Sequence, residues 1–472
     1  MYPFTTSGRI HVKVTLVNPP YPPNAHSHPP FIPLGIAYLG AVAEREGHQV
    51  NVIDCQAERL TVEAFRQRIS KEQPDVVGVT STTLLYNQAK QIMEAAKQEH
   101  PNAATMIGGS HVTFWDENAL NECPSIDVIV RREGELTFME LLQRLQAKKD
   151  FSGVLGTTFR GADGKIVRNE DRPFLMDLDS LPSPAYHLLP IDAFHRMGKT
   201  IFPLVTSRGC VQWCDFCSTV RMFGRGYRVR NPHKVVDEME MLHNKYGESQ
   251  FTFYDDAFTI NRNHTIAMCQ DILDRKLKVE WDCETRVDAV DKELLEIMHK
   301  AGCITVWFGV ESGSTKILEK MHKKINREQV KDAFKMAQKA GMMTIASAVI
   351  GFPGETEETA WETINFINSL NPDDIGCYIA TPYPGTPMYE EVVKNGWLRV
   401  TDFNKYDTAT PTFETPQLSM ERLREIKYKA HQKFYLRPSY VFKMMRRGGT
   451  YGRSGLKTSA AYALRAMHIK LS

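Results

Sequence analysis

Long apolar segments are missing from this 472-residue sequence, because no run of about 18 apolar residues is free of charged side chains. The first stretch, residues 1–9, also lacks the apolar core of a signal peptide. A strong charge is missing too: the formal net charge is only +2, and nothing in the composition indicates nucleic-acid binding. We therefore expect a soluble, cytoplasmic protein.

An extracellular disulfide framework is not expected either. The nine cysteines lie in a long chain without a secretory signal, where reduced thiols or metal ligands are the usual roles. Six of them stand singly and are predicted to be small buried hydrophobic residues: Cys55, Cys123, Cys269, Cys283, Cys303 and Cys377. The chain length and a hydrophobic content of 42% favour about two to four domains.

The N-terminal third alternates short apolar runs with helical patterns. The predicted strands are 14–17, 50–53, 76–79, 105–107 and 128–130, and helices are predicted at 36–46 and 86–98. This alternation predicts a Rossmann-like, doubly wound parallel sheet over residues 1–148. A G-x-G-x-x-G fingerprint is absent, which argues against a nicotinamide dinucleotide.

Small and polar residues follow the strands of this predicted sheet, at the edge where such sheets bind ligands. Small residues let a large planar cofactor approach the backbone, and hydroxyls can bind its periphery. An ordinary loop is an equally good interpretation of the local sequence. The candidate contacts are Thr80, Ser81, Thr82, Gly108, Gly109, Ser110, His111 and Glu133.

Two regions follow with different patterns. Residues 149–195 are predicted to form a hairpin, turning near 161–164, and then a proline-rich linker. Residues 196–395 again alternate strands, at 202–206, 251–254, 280–284, 305–310, 344–350 and 375–379, with helices. Six such units are too few for a complete eight-unit barrel, so a partial (β/α)6 TIM-like barrel is predicted, with its site at the carboxyl ends of the strands.

Polar and glycine-containing segments recur after successive strands of the predicted barrel. Each has an ordinary explanation: Asp255 could cap a helix, and Glu311 could pair with a neighbouring lysine. Their recurrence is what a shared site would produce. The segments contain Cys210 to Cys217, Asp255, Asp256, Arg286, Glu311, Ser312, Gly351 and Pro353.

Three cysteines, Cys210, Cys214 and Cys217, follow the first barrel strand in a C-x3-C-x2-C spacing. Thiolates this close can converge on one soft metal centre. A structural zinc site needs a fourth ligand, for which His233 or Asp215 is available. A 4Fe-4S cluster held by three thiolates keeps one iron open for a substrate or cofactor.

This motif, with Phe216 before its last cysteine, resembles the signature of the radical SAM superfamily. The resemblance implies a 4Fe-4S cluster on the three cysteines and S-adenosylmethionine (SAM) on the open iron, which together make a 5'-deoxyadenosyl radical. It also implies that Asp255 or Asp256 accepts the methionine amino group. Glu311, Ser312 and Arg286 then resemble the polar residues near the SAM ribose and carboxylate, and Gly351 and Pro353 belong to the segment around the adenine.

The order of the domains resembles the cobalamin-binding radical SAM group, which includes anaerobic Mg-protoporphyrin monomethyl ester cyclase, hopanoid methylases and archaeal lipid ring synthases. The Asp-x-His-x-x-Gly motif that supplies a lower ligand to cobalamin in many proteins is absent here, as it often is in this group. The resemblance implies cobalamin-dependent C-methylation or oxidative cyclisation at an unactivated carbon of an isoprenoid lipid or a tetrapyrrole. It also implies a low-potential electron donor such as ferredoxin or flavodoxin.

The C-terminal region, residues 396–472, is predicted to be basic and mostly helical. After Glu425 there are eleven Lys and Arg and no Asp or Glu. Such a tail could contact an anionic membrane surface, or it could be a solvated helical cap. An iron-sulfur or zinc module without radical catalysis remains the alternative function; it would need neither Glu311 nor a six-unit barrel.

Overall fold

The computed structural model describes residues 11–23, 31–197 and 201–471. The stretch 1–9, for which no signal peptide is expected, lies outside these ranges. So do residues 198–200, just before the first barrel strand.

A seven-stranded sheet in the order β2-β1-β3-β4-β5-β6-β7 forms the N-terminal part of the molecule. Its first five strands are parallel: β1 Lys13–Asn18, β2 Gln49–Asp54, β3 Val76–Thr80, β4 Ala104–Gly108 and β5 Val128–Val130. The helices between and after them are α1 Leu34–Arg45, α2 Val62–Ile69, α3 Tyr86–Glu99, α4 Ser110–Phe114, α5 Asp116–Glu122 and α6 Glu135–Gln146. The predicted doubly wound sheet is confirmed.

The strands of this sheet are apolar because both of their faces are covered. In β3, for example, every residue from Val76 to Val79 is buried, as expected for a parallel strand between two layers of helices. The strand order changes direction between β1 and β3, and a crevice opens outside the carboxyl ends of the strands at such a point.

The predicted hairpin consists of β6 Thr157–Arg160 and β7 Ile166–Arg168. It does not stand apart from the N-terminal sheet, because β6 pairs antiparallel with β5 and thereby extends the sheet at that edge. The following proline-rich segment contains two 3-10 helices, Leu178–Ser180 and Tyr186–Leu188, and leads into the short helix α7 Ile191–Arg196.

The second sheet has six parallel strands in the order β15-β14-β13-β12-β11-β8, and β8 and β15 are its two edges. The strands are β8 Phe202–Leu204, β11 Gln250–Phe253, β12 Glu280–Thr285, β13 Cys303–Glu311, β14 Met343–Ile350 and β15 Asp374–Ile379. A two-stranded antiparallel ribbon, β9 Ser207–Arg208 with β10 Arg228–Val229, lies beside the first strand. The open, partial barrel predicted from the sequence is confirmed.

Helices cover the outside of this barrel. They are α9 Pro232–Tyr246, α10 Arg262–Asp274, α11 Lys292–Lys300, α12 Thr315–Lys320, α13 Arg327–Lys339, α14 Glu357–Leu370 and α15 Pro387–Lys394; a further short helix, α8 Thr219–Phe223, lies between the ribbon strands β9 and β10 in the chain. Local sequence explains several starts: a capping box of Asn326 and Gln329 begins α13, and Thr356 with Thr359 begins α14. The six scattered cysteines are all buried, as predicted.

Three C-terminal helices complete the chain: α16 Met420–Tyr435, α17 Pro438–Arg447 and α18 Gly449–Leu471. Helix α16 packs next to edge strand β15, and Tyr435 donates to Asp374 at 2.7 Å. Covering an edge strand in this way prevents it from pairing with another chain. Among the described helices, none combines the length and apolar character that crossing a bilayer requires.

Candidate active site

The cysteine loop begins at the β9–β10 ribbon and is held by backbone contacts to the barrel. Gly209 has a φ of +94°, and a Cβ there would lie 2.3 Å from the carbonyl oxygen of Gly226, so only glycine fits. Further along, the Asp215 N–H donates to the Met321 carbonyl at 3.1 Å. The loop is therefore anchored at both ends before any cluster binds.

The three loop thiols differ in exposure: Cys214 is buried, and Cys210 and Cys217 are half-buried. Burial raises the pKa of Cys214 to about 12, with Lys323 opposing the shift and Cys217 adding to it. Burial also raises the pKa of Cys217, and the nearby Cys210 adds to this increase. Since iron binds thiolates, loading the loop must release protons.

The donor set fits a 4Fe-4S cluster better than a single zinc ion. Within the described ranges, no group of three or more His, Cys, Asp or Glu side chains converges on one metal ion. A cubane needs no such convergence, because each thiolate binds a different iron. The two alternative zinc ligands are engaged elsewhere: His233 contacts Asp271 at 3.0 Å, and Asp215 contacts His322 at 2.8 Å.

The paired aspartates after β11 have different environments. Buried Asp255 accepts hydrogen bonds from the Thr206 backbone, the Thr206 hydroxyl and the Ser207 hydroxyl, and burial raises its pKa to about 6. Asp256 accepts from the Gly209 N–H at 3.1 Å and lines the space above the barrel. The structure thus brings Asp256, and not Asp255, to the cavity where an amino group could reach it.

A cavity of about 420 Å³ opens at the carboxyl ends of the barrel strands. Among its lining residues, the predicted ones are Phe216, Asp256, Arg286 and Glu311. Glu311 has a φ of +60° and pairs with buried Lys323 at 2.6 Å. A non-glycine residue with this backbone, placed at a break in strand register, is a costly arrangement often found at functional sites.

Besides Asp255, three predicted SAM residues do not line the barrel cavity. The Ser312 hydroxyl is buried against that of Thr363 at 2.9 Å. Gly351 lies under α16, where a Cβ would stand 2.5 Å from Leu423. Pro353 is also absent from the lining residues. These residues shape the wall behind the cavity, so their predicted contact with SAM stays a prediction.

A second cavity, of about 310 Å³, lies between the N-terminal sheet and the barrel. Its wall includes Thr80, Gly108, Gly109 and Glu133 from the N-terminal sheet and Asp256 from the barrel. Most of its other lining side chains are apolar and suit the flat face of a corrin ring, whose periphery carries polar amide groups. A Cβ on Gly109, where φ is +111°, would lie 2.4 Å from the Ser81 carbonyl, so this wall depends on glycine.

The remaining predicted cobalamin contacts lie behind the second cavity. Ser81 and His111 are buried, Ser110 is half-buried, and Thr82 is exposed. Burial lowers the pKa of His111 to about 3, and its Nδ1 lies 3.2 Å from the Thr83 hydroxyl. None of these four residues lines the cavity, so their contact with cobalamin stays a prediction.

A buried network of four charges connects the two parts of the molecule. Arg208 lies 3.1 Å from Glu133 and 2.5 Å from Glu135, and Arg228 lies 2.8 Å from Glu133. Although burial opposes ionisation, Arg208 holds the pKa of Glu135 below its usual range. Because Arg208 stands two residues before Cys210, the network ties the wall of the second cavity to the cysteine loop.

Several lining residues were missed by sequence reasoning. Lys323 and Glu135 have no local signal, because their partners are distant in sequence. Glu284 has one, because acidic residues alternate along β12 at 280, 282 and 284 and therefore share one face of the strand. Burial raises the pKa of Glu284, and nearby Asp282 reinforces the shift. Tyr254 and Tyr378 line the two cavities with 44% and 38% of their surface exposed.

Comparison with known families is consistent with both cavities. Residues 24–142 match the B12 binding domain, and residues 204–367 match the radical SAM superfamily. An uncharacterized methyltransferase of Pyrococcus horikoshii is 38% identical over 411 residues, covering 87% of this chain and 89% of the relative. The anaerobic magnesium-protoporphyrin IX monomethyl ester cyclase of Rubrivivax gelatinosus is 31% identical, covering 89% and 77%.

The fold is shared with a solved structure as well. The radical S-adenosylmethionine methyltransferase TsrM from Kitasatospora setae, solved with cobalamin and a [4Fe-4S] cluster bound, superposes with a TM-score of 0.71. The identity is 21%, and the match covers 82% of this chain and 78% of TsrM. At this identity, the likeness establishes a common arrangement of sheet and barrel.

Proposed function

This chain belongs to the radical SAM enzymes that carry a B12-binding domain, and from that premise we propose that it methylates an unactivated carbon of a hydrophobic substrate. Its cofactors are a 4Fe-4S cluster, SAM and cobalamin. When bound, the cluster and SAM supply a radical that removes hydrogen from carbon, and cobalamin supplies a methyl group.

One observation carries this proposal: the two cavities meet at Asp256, which lines both of them. A substrate carbon near this junction is accessible from the SAM side and from the cobalamin side. Methyl transfer to a carbon radical requires such a shared space, since both cofactors must reach the same atom.

The residues around the junction have separate roles in this proposal. Asp256, fixed by the Gly209 N–H, orients the methionine amino group of SAM. Arg286 is itself oriented by Asp288 at 2.8 Å and binds the carboxylate, while Glu311, held by Lys323, binds the ribose hydroxyls. The glycine-lined wall at Gly108 and Gly109 admits the corrin ring.

Oxidative cyclisation is a second candidate, favoured by the 31% identity to the anaerobic cyclase. The cavities accommodate either reaction, because both begin with removal of hydrogen from the substrate. The two differ in the fate of the SAM methyl group. Methylation transfers that group to the product and leaves S-adenosylhomocysteine, whereas cyclisation closes a new bond within the substrate.

The substrate class proposed is an isoprenoid lipid or a tetrapyrrole. The exposed ring of Tyr254, beside the junction of the two cavities, favours a flat or elongated apolar molecule. On α17, Phe442 and Met445 are 67% and 61% exposed beside Arg446 and Arg447. We include in the proposal that this face contacts an anionic membrane surface from which such a substrate is taken.

The test is anaerobic reconstitution with iron, sulfide and hydroxocobalamin, followed by incubation with SAM and dithionite. We expect 5'-deoxyadenosine from the wild type, none from Cys214→Ala, and normal amounts from Cys55→Ala, which removes a buried cysteine outside the loop. No product from the wild type, or undiminished product from Cys214→Ala, would contradict radical catalysis.

A second measurement separates methylation from cyclisation. With SAM carrying an isotopically labelled methyl group and candidate lipids or porphyrins, methylation predicts label in the product together with S-adenosylhomocysteine. Product without label, but with 5'-deoxyadenosine, would establish the cyclase alternative.

A further inference from the structure

An exposed apolar and basic surface lies on the cysteine loop itself. It consists of Val211, Trp213, Arg221 and Arg225, and we call it the Trp213 patch. Val211 and Trp213 are 46% and 39% exposed. The guanidinium groups of Arg221 and Arg225 lie 5.5 and 5.1 Å from the centre of the indole ring. Both cations therefore hold the indole in a fixed orientation at the surface.

This patch has the composition of a protein-binding surface. Trp and Arg are enriched at the energetic centres of protein interfaces, whereas large apolar side chains are usually withdrawn from water. The indole is not a fully buried core side chain, because 39% of its surface remains in solvent. Its place between Cys210 and Cys214 makes it part of the loop that binds the cluster.

The electrostatics of the patch favour an acidic partner. Two nearby carboxylates already have cationic partners, because Glu390 pairs with Arg221 and Glu391 with Lys320, while Asp215 contacts the imidazole of His322. Over the described ranges, no ion pair joins Arg225 or the exposed Lys324 to a carboxylate. The surface around the loop therefore carries an excess of positive charge.

The patch also lies close to both redox sites of the protein. Trp213 is joined to Cys214 by one peptide bond. Helix α8 separates the patch from the second cavity: Arg221 contacts Trp213, while the next two residues, Met222 and Phe223, line the cavity. A redox protein bound to the patch would therefore lie next to the cysteine loop and next to helix α8, which borders the second cavity.

We propose that the Trp213 patch is the docking surface for an acidic flavodoxin-type electron carrier. This inference rests on the proposed function, since a catalytic cluster must be reduced. Flavin mononucleotide presents a flat, apolar ring edge that can pack against the exposed indole and Val211. The iron-sulfur cluster of a ferredoxin is enclosed by that protein's own backbone and presents no such ring. The carrier's anionic hydroquinone loses one electron to become the neutral semiquinone, and the 4Fe-4S cluster gains that electron; no bond or proton moves.

The first test measures docking without turnover. Oxidised flavodoxin is titrated into cluster-loaded, cobalamin-loaded enzyme by calorimetry at low ionic strength. We expect Arg225→Glu and Trp213→Ala to weaken binding by about tenfold or more, and wild-type binding to weaken as salt is added. Arg446→Glu, a matched charge reversal on α17, should bind like the wild type. Equal affinity in all four proteins would overturn the proposal.

The second test measures electron transfer by anaerobic stopped-flow mixing with flavodoxin hydroquinone, following semiquinone absorbance. Arg225→Glu should slow reduction by about tenfold, while 5'-deoxyadenosine formed with dithionite stays at the wild-type level. Because Trp213 lies between two of the loop cysteines, the iron content of Trp213→Ala is measured to verify that its cluster is intact. Arg225→Ala serves as a second variant, because Arg225 lies outside the cysteine loop.

The outcomes distinguish the docking inference from the proposed function. If dithionite yields no 5'-deoxyadenosine from the wild type, radical catalysis is wrong whatever the binding data show. If dithionite supports the reaction but flavodoxin reduces the variants as fast as the wild type, the docking surface is wrong. If an acidic ferredoxin reduces the variants more slowly than the wild type, while flavodoxin reduces the variants and the wild type equally fast, the flavodoxin assignment is overturned.

Discussion

The buried charge network between the two sheets allows a quantitative test of how the domains are joined. The perturbation is Glu135→Gln, which removes one negative charge at the start of α6. Glu135 is buried and lies 2.5 Å from Arg208, whose other carboxylate partner, Glu133, lies at 3.1 Å. After the substitution, Arg208 keeps a single ion pair, to Glu133, and donates one hydrogen bond to the amide oxygen of the new glutamine side chain.

The expected loss of stability follows from the burial of these groups. Removing one partner of a buried ion pair costs about 3 to 5 kcal/mol when the other charge is left alone. Because Arg208 keeps Glu133 as a partner but shares it with Arg228, we expect a loss at the lower end of this range, of about 3 kcal/mol. Glu140→Gln, on the same helix, removes a partly exposed partner of Arg172 and should cost less than about 1 kcal/mol.

The pH dependence has a definite sign. The folded-state pKa of Glu135 is lowered, because Arg208 outweighs the burial that favours the neutral form. The stability that it contributes is therefore fully present above the ordinary carboxyl pKa of 4.5 and is lost as the pH falls through the lower folded value. The difference between wild type and Glu135→Gln should accordingly shrink in acid.

The assay is urea unfolding at pH 7 and at pH 4, combined with hydrogen exchange of the peptide spanning residues 130–146. Exchange reports this region directly, which matters because a protein of several domains need not unfold in one step. Equal losses for Glu135→Gln and Glu140→Gln, or a difference that grows in acid, would refute the reasoning.

Three further predictions concern the cavities and their walls. Gly109→Ala places a Cβ 2.4 Å from the Ser81 carbonyl, so hydroxocobalamin affinity, followed by visible absorbance, should fall at least about tenfold while bound iron is unchanged. Burial raises the pKa of Glu355 from 4.5 to about 8. Above pH 4.5 the folded state therefore retains a proton that the unfolded chain releases. As a result, the free energy of unfolding of the wild type falls as the pH rises from 4.5 to about 8. Glu355→Gln should remove that slope and be more stable than the wild type at pH 8, by up to about 4 kcal/mol in urea unfolding; a parallel pH profile would contradict this. Glu311→Gln removes the partner of buried Lys323 on the cavity wall, and SAM affinity measured by equilibrium dialysis should fall about tenfold; unchanged affinity would remove Glu311 from the SAM site.

Sequence reasoning succeeded where the signal is local. The C-x3-C-x2-C spacing and the alternation of apolar runs with helical patterns depend on residues within a few positions of one another. The two sheets were predicted on this basis, because strand and helix periodicities are properties of short segments. The hairpin at 157–168 was also predicted, but its pairing with β5 was not, since strand partners are chosen by the whole sheet.

By itself, the sequence predicted the thiolate donor set, which stays a prediction, and determined the order of two parallel α/β units. Only the tertiary structure distinguished the two aspartates, because Asp255 is held by Thr206 and Ser207 whereas Asp256 lines both cavities. It also showed that Gly351 packs against Leu423 of α16, and that Glu135 pairs with Arg208, which is 73 positions away in the sequence. The physical reason is that side-chain direction and charge pairing depend on packing between distant segments, which no local pattern encodes.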